Sequence, residues 1–589
     1  MRTLTLRLLW LGCLFLSLAG LVSLPAIADE GDPPARVARL SVIQGKLSFQ
    51  PAGENQWSEV SLNRTVSTGD RLYTDEQSRA ELEVGSYSVR LSQFTDLTVA
   101  NLNDQILQLG LGQGSIRVSI YGLPPGETVE IDTPNGALTI QRPGAYRVDT
   151  SQDGNSTQVT VNRGSLEVSG GDLHQAVDAG QSVQLTGTGP IQASLVSAPG
   201  PDDFDHWSAD RDRRIEQYRS AQYVSRDVPG CEDLDEHGVW QENPQYGHVW
   251  VPSVGPGWIP YRAGHWAWIE PWGWTWVDDA PWGFVPFHYG RWAHLGPVWF
   301  WVPGPVVVRP VYAPALVAFV GGGGFRVGIG VQAWFPLGPR EPYVPWYHYG
   351  PTYLNQVNVT NVRNVTNITN ITNVTNINNI TYVNKTVATT AVSGEVFRGG
   401  RPVSQGLVQV NQQQLAQARV VEHPDVAPAR TAVFGGRNTI APPPHLATVP
   451  MTTQARNGPT TFTRTLPNQN LGAGHSGPPA GGSGGATPMA TVPKTTLPAN
   501  NRFGGPPNNP APRFITKNPT PNNSVDFSKR EPALAAHPGR PLEPQQMENL
   551  KKGQSAGPMK DKEVFTHAPK NSAAKPAPKD REDRGKNKR

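Results

Sequence analysis

Between residues 37 and 196, apolar and polar residues alternate in short runs, and a period of two cannot be written onto a helical core. Leu82/Val84, Tyr87/Val89/Leu91, Ile116/Val118/Ile120, Val129/Ile131, Tyr146/Val148, Val159/Val161 and Val183/Leu185 each put successive apolar side chains on one side of an extended chain. A glycine precedes many of these steps, as in Gly45-Lys-Leu47-Ser-Phe49, Gly114-Ser-Ile116-Arg-Val118, Gly136-Ala-Leu138-Thr-Ile140 and Gly164-Ser-Leu166-Glu-Val168. Glycine accepts the positive φ of the turns that reverse the chain before a strand. A stretch of roughly 160 residues buries a core of its own, so a mainly β fold is expected here, as a β-sandwich or a β-solenoid.

The spread of Gly45-Lys-Leu47, Val66-Ser-Thr68-Gly69-Asp70, Arg79-Ala80-Glu81-Leu82, Thr133-Pro134-Asn135-Gly136 and Val161-Asn162-Arg163-Gly164-Ser165 resembles the FecR-like periplasmic domain. The resemblance implies an all-β unit over residues 36–198 and, in the best-known members, relay of a receptor's state to a sigma factor. This chain departs from that pattern at its start, which reads as a cleavable signal, and at Arg142-Pro143-Gly144, where the family has Gly-Thr.

Residues 202–353 open with Trp207, Ile215 and Tyr218 near helical spacing among charges, which predicts one surface helix. Next, Gly257-Trp-Ile-Pro260-Tyr261-Arg-Ala-Gly264-His-Trp266 matches Gly283-Phe-Val-Pro286-Phe287-His-Tyr-Gly290-Arg-Trp292, an offset of 26 residues. Such a repeat predicts tandem small hairpins. With Val311-Tyr-Ala-Pro314 and Trp334-Phe335-Pro336-Leu337-Gly338-Pro339, the segment resembles a Trp-rich domain of unknown function found after FecR-like domains in bacterial exported proteins, which implies an architecture and no activity.

From residue 354 to 393 an Asn-Val/Ile-Thr triplet recurs, as in Asn364-Val-Thr366-Asn367-Ile-Thr369. Period three fits a threefold extended coil, a short β-solenoid run or an unstructured polar spacer, and the first two would allow homo-oligomer contacts. Residues 394–589 are rich in Pro, Gly, Asn, Thr and Ala with few aromatics, and are expected to be a disordered tail with a basic terminus.

Arg2 and Arg7, an apolar run and Ala26-Ile27-Ala28 read as a signal peptide over residues 1–28, so the mature chain is expected in a bacterial periplasm or outside the cell, with no membrane span after cleavage. Cys13 lies in that run, which leaves Cys231 as the single thiol of the mature chain and excludes an internal disulfide. A formal net charge of +3 over 589 residues gives no reason to expect a nucleic-acid partner.

No phosphate loop, nucleophile elbow, zinc-protease helix or Cys-x-x-Cys occurs, so no enzyme, cofactor or metal is expected. His248, His265, His288 and His294 match no ligand spacing, and Glu232-Asp233 and Asp278-Asp279 read as turn residues because neighbours on a strand point apart. The aromatic block admits two readings. In one, Trp258, Tyr261, Trp272, Trp274 and Tyr289 are binding platforms for sugar rings or Pro-rich segments, with Arg262, His288 and Arg291 as polar partners. In the other, which we favour, Trp250, Trp266, Trp276 and Trp292 pack on one another as a core. The expected function is a non-enzymatic scaffold binding envelope proteins or a cell-wall or exopolysaccharide polymer, with FecR-like surface signalling and glycan binding as alternatives.

Overall fold

The computed structural model describes residues 31–306, 309–321, 330–362, 380–444, 446, 451–454, 514–517 and 525–559. The signal segment, the triplets from Asn364 and the basic terminus lie outside the described residues. The chain is mainly β, as the alternation requires.

Seventeen strands from Ala38–Gln44 to Gln192–Val196, extended by the short downstream strands Thr439–Ile440, Met451–Gln454 and Phe514–Lys517, form one sheet curled on itself. The strand Ile106–Ile120 joins its two layers: its first half pairs with Asp96–Leu102 and, in parallel, with Thr128–Thr133, and its second half pairs with Tyr87–Leu91 and Gly144–Thr150. The crossover falls at Gly114, whose φ is +86° and where a Cβ would stand 2.5 Å from the Thr95 backbone. Only glycine fits there. The alternating residues that predicted strands converge inside, with Val89, Leu91, Ile116, Val118, Tyr146, Val148, Val159, Val161, Val183 and Leu185 all buried in one cluster.

The charged helix follows at Asp203–Gln217, closed at its start by a capping box between Asp202 and Asp205. It docks by charge rather than by an apolar stripe. Asp205 binds Arg117 and Arg147, Asp212 takes Arg90 at 2.6 Å, and Arg211 reaches Glu81, so the outer face of the sheet is covered by ion pairs.

The Trp-rich part contains three copies of the hairpin, one more than the sequence comparison found. Gly238–Asn243 pairs with Gly247–Pro252, Gly264–Ile269 with Gly273–Asp278, and Arg291–Leu295 with Val298–Val302. The first residues of the motif, Gly238, Gly264 and Gly290, recur at a constant interval of 26. In each copy a tryptophan two residues on faces another across the strands: Trp240 and Trp250, Trp266 and Trp276, Trp292 and Trp301. Each glycine sits under the second of these rings, and a Cβ at any of the three would lie 2.4–2.7 Å from it. A fourth hairpin, Val317–Gly321 with Gln332–Pro336, sets Phe319 opposite Trp334.

The hairpins do not each make a private core. Their rings enter one cluster with Tyr312, Tyr343, Trp346, Tyr353 and Val357, and with residues from far downstream. Segments downstream of residue 353 join this lobe. The helix Pro351–Val359 and the strand Thr390–Val392, the latter paired with Gln332–Pro336, belong to the Trp-rich lobe and not to a separate triplet segment. Within the expected disordered tail, Phe397, Val403, Ala432, Val433, Phe527, Leu534 and Leu542 are buried in the same cluster. A polar average composition hid short amphipathic pieces that need a neighbour's surface to bury against. No helix among the described residues is long and apolar enough to cross a membrane.

Candidate functional site

The β lobe and the Trp-rich lobe are joined by buried polar groups. Asn63, held at a φ of +62°, donates from Nδ2 to the carbonyls of Asp278 and Ala280 at 3.1 and 2.6 Å. Arg39 reaches Pro281 O at 2.7 Å, Asn63 Oδ1 at 3.1 Å, Glu83 at 3.3 Å and Asp233 at 2.5 Å. Gly230 makes room for it, since a Cβ there would meet the Arg39 guanidinium. On the far side, Glu54 is clamped by Arg430 at 2.7 Å and Arg530 at 3.5 Å, and Arg530 also holds Glu270 at 2.7 Å. Buried charges paired in this way tie the seam to one register, because losing either partner strands the other away from water.

Beside Arg39 the seam opens into a cleft of about 420 Å³. The turn at Gly85 and Ser86, the segment 121–124, the helix end at Ile215 and Tyr218, and the loop 226–230 form its walls. Glu83 from the β lobe and Glu232 from the Trp-rich lobe line the same cleft, close enough that each carboxyl group feels the other's charge. Burial first, and then the neighbouring Glu83 and Asp233 carboxylates, pushes the Glu232 carboxyl well above its ordinary range. Burial also raises Glu83, although Arg39 opposes it. Cys231 is buried alongside, and burial pushes its thiol up, so it is not a ready nucleophile.

Glu232 does lie in a turn, and Asp233 opens the short helix Asp233–His237 that follows it, but the turn carries more than a chain reversal. Neighbouring carboxylates do point apart, but here each meets a partner supplied by the other lobe: Glu83 for Glu232, Arg39 for Asp233. Nothing local in the sequence pairs positions 83 and 232.

Six of the eight residues considered as binding platforms or polar partners are in the core. Tyr261, Trp272, Trp274, His288, Tyr289 and Arg291 are all buried, and only Trp258 and Arg262 keep partial exposure. Tyr261 donates to Phe287 O at 2.6 Å and stacks edge-on to Phe287, Trp274 packs at 4.6 Å on Phe397, and Arg291 is held by Asn358 and the carbonyls of Glu341 and Gly290. A ring without an open face cannot stack on a sugar. These aromatics were too apolar to stay outside once the downstream segments supplied a lid.

The histidines disperse. His265 and His288 are buried neutral, each pushed down to about 3 chiefly by burial, and no group of three His, Cys, Asp or Glu side chains among the described residues could hold a metal ion. Asp278 is buried, accepts from Trp276 Nε1 at 3.0 Å and from the Ala280 amide at 3.0 Å, and is raised well above the carboxylate range by burial.

Residues 231–341 match a family of unknown function, DUF6600. The matched DUF6600 segment spans the three Trp hairpins and begins at Cys231, beside the cleft. Two crystal structures of a proposed anti-sigma factor from Parabacteroides distasonis are similar at 14% identity with a TM-score of 0.20, over 22% of this chain and 60% of theirs. This chain therefore spans less than two thirds of that protein's length. No curated protein matches.

Proposed function

We propose that this chain is an exported, non-catalytic envelope scaffold, in which a FecR-like β lobe and a DUF6600 lobe act as one rigid body that holds a partner protein or polymer. One observation carries the reading. The sheet that contains the first and third Trp hairpins turns its tryptophans inward, and its other face presents Val239, Leu295 and Val298, which are 53%, 76% and 49% exposed. Strand parity puts half-buried Val251 on that same face, next to Val249, Ala293, Phe300 and Val302, which are buried there in a small cluster. Exposed apolar side chains gathered on one face mark an interaction surface. The FecR-like resemblance and the signal-like start support an envelope location, and the burial of the aromatic rings disfavours the glycan-platform alternative.

A photoreactive residue placed at 295 in living cells, with fractionation of the same cells, tests this. The expected result is a processed protein in the envelope or medium that crosslinks from 295 and not from the exposed control position 152. An unprocessed cytoplasmic protein, or equal crosslinking from both positions, refutes it.

A further inference from the structure

The ion network at the seam does not balance. Arg39, Arg90, Arg211 and Arg214 supply four cations, whereas the buried Glu81, Glu83, Asp212, Asp233 and Glu232 supply five carboxyl groups, and Arg214 is further shared with the exposed Glu236 at 3.1 Å. Four of the five acids carry ion pairs with these arginines. Glu232 is the fifth: it is 5% exposed, its Oε1 has no hydrogen-bond donor, and it lines the cleft. Arg226 also lines the cleft, but its guanidinium lies over the Tyr218 ring, 5.3 Å from the centroid, at the exposed mouth.

We propose that the seam cleft is a binding site for a small apolar or aromatic primary amine, whose ammonium group occupies the position beside Glu232 and Glu83 that lacks a cation. Without the ligand, the charge is closed by one proton shared between the two carboxyl groups. When the ammonium enters, that proton leaves, so one positive charge replaces another and the charge of the network does not change. The walls suit the rest of the molecule. Tyr121, Leu123, Pro124, Ile215 and Val228 offer apolar surface, and the Tyr218 ring can face a cation. A volume of about 420 Å³ is within the range that encloses a small ligand. The site needs both lobes, since Glu83 and Glu232 come from opposite sides of the seam, and it is independent of the sheet face invoked for partner binding.

The test uses 2-phenylethylamine and its neutral isostere 2-phenylethanol, titrated calorimetrically into the full chain at pH 7.5 in two buffers of different ionisation enthalpy. The amine is expected to bind at least tenfold tighter than the alcohol and to release close to one proton. Glu232→Gln removes the uncompensated acid without leaving a charge, so the variant should stay folded, lose the amine preference to within about threefold and release no proton. Leu123→Trp fills the cleft without touching the network and should abolish binding of both compounds. The proposal is overturned if the folded wild-type protein binds neither compound, which would mean that the pair takes a proton only. It is also overturned if amine and alcohol bind alike, or if Glu232→Gln or Leu123→Trp leaves amine binding unchanged.

Discussion

Replacing Gly290 by alanine tests whether the Trp hairpins depend on the glycine beneath each ring. At φ +69° an alanine pays about 1–2 kcal/mol for its left-handed backbone. The new Cβ would also sit 2.4 Å from Trp301 Nε1 and 2.5 Å from Val302 O, inside a ring system that cannot retreat because Trp301 Nε1 is bonded to Tyr289 O at 2.7 Å. Overpacking of this kind costs about 1–3 kcal/mol more. Together the loss is about 2–5 kcal/mol. Gly257 is the control: its φ is +79°, but nothing lies within 4 Å of its Cβ position, so Gly257→Ala should show the backbone cost alone. Urea unfolding followed by tryptophan emission compares the two through their midpoints at unchanged slope. Equal midpoint shifts for the two variants would refute the idea that the ring, and not the turn, requires glycine.

Arg39→Ala should cost about 3–5 kcal/mol, because it leaves Asp233 and Glu83 buried without their cation, whereas Arg213→Ala, at a 65% exposed side chain, should stay within about 1 kcal/mol; thermal unfolding separates them. His265 and His288 are held down to about 3 in the fold against about 6.5 in the unfolded chain, so the unfolded state binds more protons between those values. Their contribution is complete above about pH 6.5 and is lost as pH falls towards 3, and His288→Gln should flatten that acid limb of Tm against pH. Glu232 acts with the opposite sign: its folded carboxyl stays protonated while the unfolded one ionises, so its cost grows as pH rises above about 4.5, and Glu232→Gln should raise Tm more at pH 8 than at pH 4.5. Ending the chain at residue 524 removes Phe527, Leu534 and Leu542 from the aromatic core, each worth about 1.5–3 kcal/mol of burial before the entropy of ordering is offset, and should lower Tm and expose tryptophan to acrylamide.

The curled β lobe was legible because each strand there satisfies a local rule: alternation sets the buried side and glycine sets the turn, as Gly45 and Gly164 do with positive φ. The hairpin repeat was half legible. Gly238-Val-Trp240 repeats the Gly-x-Trp step of the two copies that were recognised, but Trp240 is followed by Gln-Glu-Asn and lacks the Pro-aromatic lead, so the first copy looked unlike the others.

The sequence by itself determined the secondary structure of the β lobe, the charged helix and the doublet of Trp hairpins, since these depend on residues within a turn or a strand of one another. Tertiary structure alone decided which tryptophans are buried, which pieces beyond residue 394 pack, and that Glu83 meets Glu232. Burial of a ring depends on whatever covers it, and the shift of a carboxyl depends on charges brought close across the seam. Both are set by contacts between segments far apart in the chain, and neither periodicity nor spacing encodes them.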